Sequence, residues 1–350
     1  MARSNGLTAM PPEAVRSVLK RERDGTHDRF LPLSRVRLDL RDPLAAPENR
    51  YSITLSGEGA PVPLRLSPTA LRQLAGLGGI PLPFLERLPA AMGLSTLRSC
   101  LFVAMEERQD PELLFRLRTG DPPRLRAILP SSFPRFDDRD VLEEVQRAIA
   151  GRKDVRVAGV SITDDVFSVR LVVPRALNLG SARTPDPAYA GVDIRTSETG
   201  ACPMEIRRVL YRLVCSNGMT DVAETQRELR RRKVGLDRDR FREVFAGSLE
   251  ESLRWGRQSA ERLGSGHSQF IQDPVAEVRG IFRRYRLGNP ASLPGRLVLD
   301  DLARSVNLLG VSRFDLVQAF THTAQKLDLE DRLRFEDAMG AYLYSEINPN

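Results

Sequence analysis

The chain has 350 residues, of which 41% are hydrophobic and 28% charged, and a formal net charge of +7. This is the profile of a folded, water-facing protein, long enough for one large domain or two ordinary ones. No apolar run reaches the about 18 residues that span a bilayer, and the opening MARSNGLTAMPPEAV has no apolar signal core. A cytoplasmic protein with no membrane partner is expected.

Taken in chain order, PPEAVRSVLKRERD has helical spacing, and VRLDL and RYSITL alternate polar and apolar residues as half-buried strands do. LSPTALRQLAGLGG reads as a helix capped by Ser67 and stopped by glycines, followed by the proline-punctuated IPLPFLERLPAAM. Residues 1–100 are therefore assigned to an N-terminal α/β adaptor region. LFVAMEE fits a strand or a helix, LLFRLRTG and RLRAILP fit strands, and FDDRDVLEEVQRAIAG fits a helix capped by Asp137 or Asp138.

VRVAGVSITDDVFSVRLVVP is the strongest hairpin signal, with Thr-Asp-Asp between two β-branched runs. GVDIRTSETG and RRVLYRLVCSNG complete an α+β core over 101–220, with a mostly antiparallel sheet and packed helices. Asn217-Gly218 is read as a turn that delivers the chain into a basic helix. From 221 to 350 an all-helical C-terminal region is expected, starting with that helix. Asp300 and Asp301 are read as a helix N-terminus.

The three cysteines, Cys100, Cys202 and Cys215, and the three histidines, His27, His267 and His322, lack metal-ligand spacing. No phosphate-cradling glycine loop of either common type is present, so no cofactor is expected and ATP hydrolysis is disfavoured. Cys215 has an arginine-rich setting but no histidine-containing motif beside it, so it reads as a core cysteine more readily than as a nucleophile.

The positive charge is concentrated. Residues 207–242 hold eleven Arg or Lys against five Asp or Glu. A polyanion is the partner to consider, with a solvated helix face as the plain alternative. Arg207, Arg208, Arg212, Arg227, Arg230, Arg231, Arg232 and Lys233 are the candidate phosphate contacts. Arg124, Arg126 and Arg170 on strands would extend the track across the sheet.

Three motifs then follow in order: Arg126-Ala127-Ile128-Leu129-Pro130 through Phe133 and Asp137; Thr196-Ser197-Glu198-Thr199-Gly200; and Arg212-Leu213-Val214-Cys215-Ser216-Asn217-Gly218. Together they resemble a phage/plasmid-like protein family described as a domain of unknown function, over roughly residues 75–345. The family marks are Ser197, Glu198, Gly200, Cys215, Asn217 and Gly218. Pro130, Phe133 and Thr196 depart from the family's usual Ser, Tyr and Asn, which puts any role of those three side chains in doubt here.

A fainter likeness is to single-strand-annealing recombinases, which share a hairpin sheet backed by a helix and work as oligomers without ATP. This resemblance implies a nucleic-acid-binding protein, single-stranded DNA favoured, that forms a homo-oligomer and anneals strands in recombination or replication. The alternatives are an enzyme using Cys215 or Glu198, and a non-catalytic protein-interaction module.

Overall fold

The computed structural model describes residues 25–56, 62–120, 122–134, 136–178, 187–212, 217–221, 238–305 and 310–345. The fold is α+β, and the chain divides into two units, with Ser197–Pro203 joining the N-terminal one that runs to Asp140. The first helix expected from the sequence, the segment 227–233 and Cys215 lie outside the described residues.

The N-terminal unit is built on a six-stranded sheet. Its strands are β1 (Thr26–Pro32), β2 (Val36–Leu40), β3 (Tyr51–Leu55), β4 (Leu64–Leu66), β5 (Glu112–Arg118) and β6 (Arg124–Pro130). They lie in the order β1-β5-β6-β4-β3-β2, and only the β4–β6 pair is parallel. Helices α1 (Pro47–Arg50), α2 (Pro68–Leu77), α3 (Leu82–Arg87) and α4 (Ala90–Glu107) accompany it.

Helix α2 starts as the sequence predicts. Ser67 Oγ accepts from the Ala70 N–H at 3.0 Å, and Pro68 takes the first helical position. The same hydroxyl donates to the Arg126 carbonyl at 2.7 Å, tying the cap to β6. LFVAMEE, open between strand and helix, belongs to α4. Leu94, Leu97, Leu101 and Ala104 recur every three or four residues and bury one stripe of it.

The C-terminal unit is built on a five-stranded antiparallel meander. Its strands are β7 (Arg156–Ile162), β8 (Phe167–Asn178), β9 (Pro187–Thr196), β10 (Glu205–Arg212) and β11 (Asn217–Asp221). Helix α5 (Asp138–Ile149) precedes them and buries Val141, Leu142 and Val145. After them come α6 (Arg238–Ser265), α7 (Pro274–Arg284), α8 (Leu293–Ser305), α9 (Arg313–Ala324) and α10 (Leu329–Ser345). Helix α6 packs along β8, β9 and β10. Trp255, Phe282, Phe320 and Phe335 belong to the core that joins these helices to Ala188 and Leu210 of the sheet.

Three expectations change. Residues 101–220 do not share one sheet: β5 and β6 pair with β1 and β4, while β7–β11 form a separate sheet. Asn217 and Gly218 do not turn the chain into a helix. They open β11, which pairs antiparallel with β10, Asn217 opposite Arg212 and Gly218 opposite Tyr211. Asp300 and Asp301 lie well inside α8 rather than at its start.

Two glycines mark close approaches, one between helix and sheet and one between neighbouring strands. A Cβ on Gly256 of α6 would stand 2.4 Å from the Ala190 Cβ of β9. A Cβ on Gly191 would stand 1.9 Å from the Leu171 carbonyl oxygen, which is backbone and cannot swing aside. Gly191→Ala is expected to destabilise the protein by about 2 kcal/mol or more, because overpacking a closed site forces the backbone to move. Chemical denaturation of the variant and the parent chain measures this. Equal midpoints would show that the β8–β9 pair can open there.

Candidate functional site

The motif Ser197-Glu198-Thr199-Gly200 lies in the N-terminal unit and organises its most polar interior. Gly200 has a φ of +72°, and a Cβ there would meet Leu129 at 2.9 Å, so glycine is required at this turn. Ser197 Oγ accepts from the Ala201 N–H at 3.0 Å and lies 3.1 Å from Thr199 Oγ1. Gln73 of α2 donates through Nε2 to the Thr199 carbonyl at 2.7 Å, while its Oε1 accepts from the Ile128 N–H at 2.8 Å.

Glu198 is the centre of this arrangement. Its Oε2 lies 3.0 Å from Arg126 Nη1, and its Oε1 accepts from the Asp138 N–H at 3.2 Å. That N–H belongs to the first turn of α5, where a carboxylate is favoured by the helix dipole. Arg116, only 1% exposed, donates to the Glu198 carbonyl at 3.2 Å and to Asp137 Oδ1 at 2.8 Å, and its Nε lies 3.4 Å from Asp28 Oδ1. Burial alone would depress the Arg116 guanidinium, but Asp137 and Asp28 outweigh it and hold it above its ordinary value.

Asp138 has the opposite balance. Burial, and then the neighbouring Glu198 carboxylate, push its carboxyl well above the usual carboxylate range. Its Oδ1 is buried with no hydrogen-bond partner.

The second charged cluster covers one face of the five-stranded sheet. Ser168, Arg195 and Glu205 stand in register across β8, β9 and β10, and so do Arg170, Asp193 and Arg207. Asp193 and Glu336 are fully buried. Asp193 accepts from Ser168 Oγ at 2.6 Å and from Arg195 Nε at 2.7 Å, and Arg170 Nη2 lies 2.8 Å from Glu336 Oε2. Arg195 grips both oxygens of Asp337 at 3.1 Å, and Arg207 pairs with Glu205 and Asp337. Arg332 closes the set on Glu336 at 3.0 Å.

Four guanidiniums thus meet four carboxylates, two of which come from α10. Burial would raise the Asp193 carboxyl, but Arg195 and Arg170 hold it below the usual range. Burial would lower the Arg170 guanidinium, but Glu336 and Asp193 hold it above its usual value.

These positions redistribute the candidate phosphate contacts. Arg124, Arg126 and Arg170 do not form one track across one sheet: the first two are on β6 and the third on β8 of the other sheet. Arg126 and Arg170 are buried on carboxylates of this chain, and Arg207 is nearly so. Arg208 lies over the Trp255 ring at 5.6 Å. Arg212 is described only by its backbone at the end of β10, while Arg227, Arg230, Arg231, Arg232 and Lys233 lie outside the described residues.

Arg124 is half-buried and stands in register with Arg118 of β5 and Arg65 of β4. This row of three arginines in adjacent strands was not visible from sequence, because Arg65 and Arg124 are far apart in the chain. Asp193 and Arg195 were also missed as partners, although their alternation in GVDIRT was a signal that charge lies on one strand face.

A further cluster gathers on Asp301, whose Oδ2 lies 2.8 Å from His322 Nδ1 and 3.4 Å from Lys326 Nζ. No group of three or more His, Cys, Asp or Glu suited to a metal occurs among the described residues, and none of their helices is long and apolar enough to cross a membrane. No family model matches the chain, and no curated protein or solved structure matches it either.

The raised Asp138 carboxyl gives a signed prediction. The unfolded chain ionises this group near pH 4 and the folded chain only at higher pH, so its ionisation opposes folding as pH rises. Asp138→Asn removes that opposition and should raise the melting temperature at neutral pH, with the gain fading as pH falls to about 4. A variant less stable than the parent at neutral pH would show that the ionised carboxylate is the favoured form.

Proposed function

We propose that the protein binds nucleic acid, single-stranded DNA first among its ligands, through phosphate contacts and without nucleotide hydrolysis, in recombination or replication of mobile DNA. The observation that carries this reading is the charge surplus of residues 207–242, eleven cations against five anions. Within that stretch Arg207 is committed to Glu205 and Asp337, and Arg242 to Glu144 and Asp239. The phosphate contacts are therefore assigned to Arg227, Arg230, Arg231, Arg232 and Lys233, whose spacing brings several cations together on one stretch of chain.

The row of Arg65, Arg118 and Arg124 supplies a second concentration of guanidinium groups in the N-terminal unit. Binding is favoured over catalysis at the Ser-Glu-x-Gly turn because both Glu198 carboxylate oxygens are already engaged, by Arg126 and by the start of α5. A general base there would have to break one of those bonds first.

Fluorescence anisotropy with labelled single-stranded DNA across a salt series tests the proposal. The logarithm of affinity should fall linearly with the logarithm of salt concentration, with a slope of about −0.7 for each phosphate contact. Replacing Arg230, Arg231 and Arg232 with glutamate should weaken binding at least about tenfold and flatten that slope. Binding that is absent at low salt, or indifferent to salt, would overturn the reading.

A further inference from the structure

Strand β2 ends the six-stranded sheet, with β3 on one side and no strand of the described residues on the other. The Ser56 N–H donates to the Arg35 carbonyl and the Arg41 N–H to the Arg50 carbonyl, both at 2.8 Å. These bonds at the two ends of the β2–β3 ladder turn the odd-numbered residues toward β3. Val36, Leu38 and Leu40 therefore direct their backbone groups away from the sheet. The Val36 N–H is taken by the Leu33 carbonyl. The Leu38 carbonyl accepts from Arg98 of α4 at 3.1 Å.

Side chains follow the same alternation. Leu38 is buried under α4, and Leu40 is 37% exposed. A groove of about 400 Å³ runs beside the edge, lined by Val36, Leu38, Leu101, Phe102 and Met105, with Phe102 61% exposed. Arg37 and Asp39 lie on the opposite face of the strand from Leu38 and pair with each other at 3.1 Å.

We propose that β2 is a self-association seam, on which a second copy of this chain adds its own β2 antiparallel, centred on Leu38. The sequence VRLDL is self-complementary about that residue. In this register Leu38 faces Leu38 of the second copy, Val36 faces its Leu40, and Arg37 faces its Asp39. The two-fold axis repeats each of these pairs. The residues brought together as hydrogen-bonded pairs are the ones whose backbone groups already point outward. Leu38 exchanges both backbone bonds with its twin, and the Leu40 N–H donates to the Val36 carbonyl across the axis.

Opposite charges meet at both Arg37–Asp39 contacts, which is the arrangement that favours one cross-strand register over its neighbours. Any other antiparallel register that keeps the outward groups paired removes at least one of these oppositions. Arg98 gives up the Leu38 carbonyl to the incoming N–H and keeps Asp39, from which its Nη2 lies 3.3 Å. The groove beside α4 then takes apolar surface from the second copy, and the exposed Phe102 and Leu40 are covered. An edge strand with exposed apolar side chains is otherwise a hazard that proteins block.

Sedimentation equilibrium of the full chain over a concentration series reads the result. The parent chain should form a reversible dimer. Arg37→Asp sets like charges opposite each other at both symmetric contacts, and should raise the dimer dissociation constant at least about tenfold. Asp39→Arg should do the same. The double variant Arg37→Asp/Asp39→Arg restores the opposition, and should dimerise more tightly than either single variant. Arg37 is exposed and Asp39 half-buried with only the exposed Arg37 and Arg98 as charge partners, so circular dichroism should be unchanged throughout. A monomeric parent, an assembly indifferent to Arg37→Asp, or a double variant no tighter than the singles would each overturn the proposal.

Discussion

A guanidinium taken out of water must meet carboxylates, and that requirement organises both units. Isolated charge in the interior costs several kcal/mol even after relaxation, so a buried arginine is tolerated only with its partners in place. On the five-stranded sheet the partners of Arg170, Arg195 and Arg207 include Glu336 and Asp337. The last described helix is thereby held to strands more than a hundred residues earlier. In the N-terminal unit Arg116 and Arg126 call in Asp28, Asp137 and Glu198, which fixes the Ser-Glu-x-Gly turn against β5 and β6.

The same requirement divides the arginines by role. A guanidinium buried among carboxylates of its own chain is already neutralised and shielded from phosphate, as Arg116, Arg126, Arg170 and Arg195 are. Its contribution is orientation and register, because a misplaced strand would strand a charge. The proposed nucleic-acid contacts are therefore assigned to cations outside these clusters, of which Arg227, Arg230, Arg231, Arg232 and Lys233 are the densest run in the sequence. Glu198 illustrates the division from the acidic side. A carboxylate in a hydroxyl-rich turn looks reactive in sequence, but here it caps a helix and neutralises an arginine.

Much of the local structure was legible because it depends on neighbours in sequence. Period-two alternation located β2, β3 and β6, two β-branched runs about Thr-Asp-Asp located the β7–β8 hairpin, and Ser67 located the start of α2. What depends on distant partners was not legible. Strand spacing cannot show that β6 joins β4 in parallel while β8 joins another sheet. Nor could it show that Arg126 meets Glu198, or Arg170 meets Glu336. Asn217-Gly218 misled because its turn propensity is local, whereas pairing with Arg212 and Tyr211 of β10 draws both residues into a strand. The motif Thr196-Ser197-Glu198-Thr199-Gly200 divides in the structure, with Thr196 ending β9 and Ser197–Gly200 belonging to the N-terminal unit, where Glu198 meets Arg126 and the Asp138 N–H.

A double-mutant cycle on Arg170 and Glu336, read by chemical denaturation, tests this account most directly. Arg170→Met alone and Glu336→Leu alone should each cost about 3 kcal/mol, since each leaves a buried charge without its main partner. The double variant should be much more stable than the two losses summed, because both charges are gone and apolar surface fills the space. Losses that simply add would contradict it, and would mean that the two side chains are not each other's counter-charge.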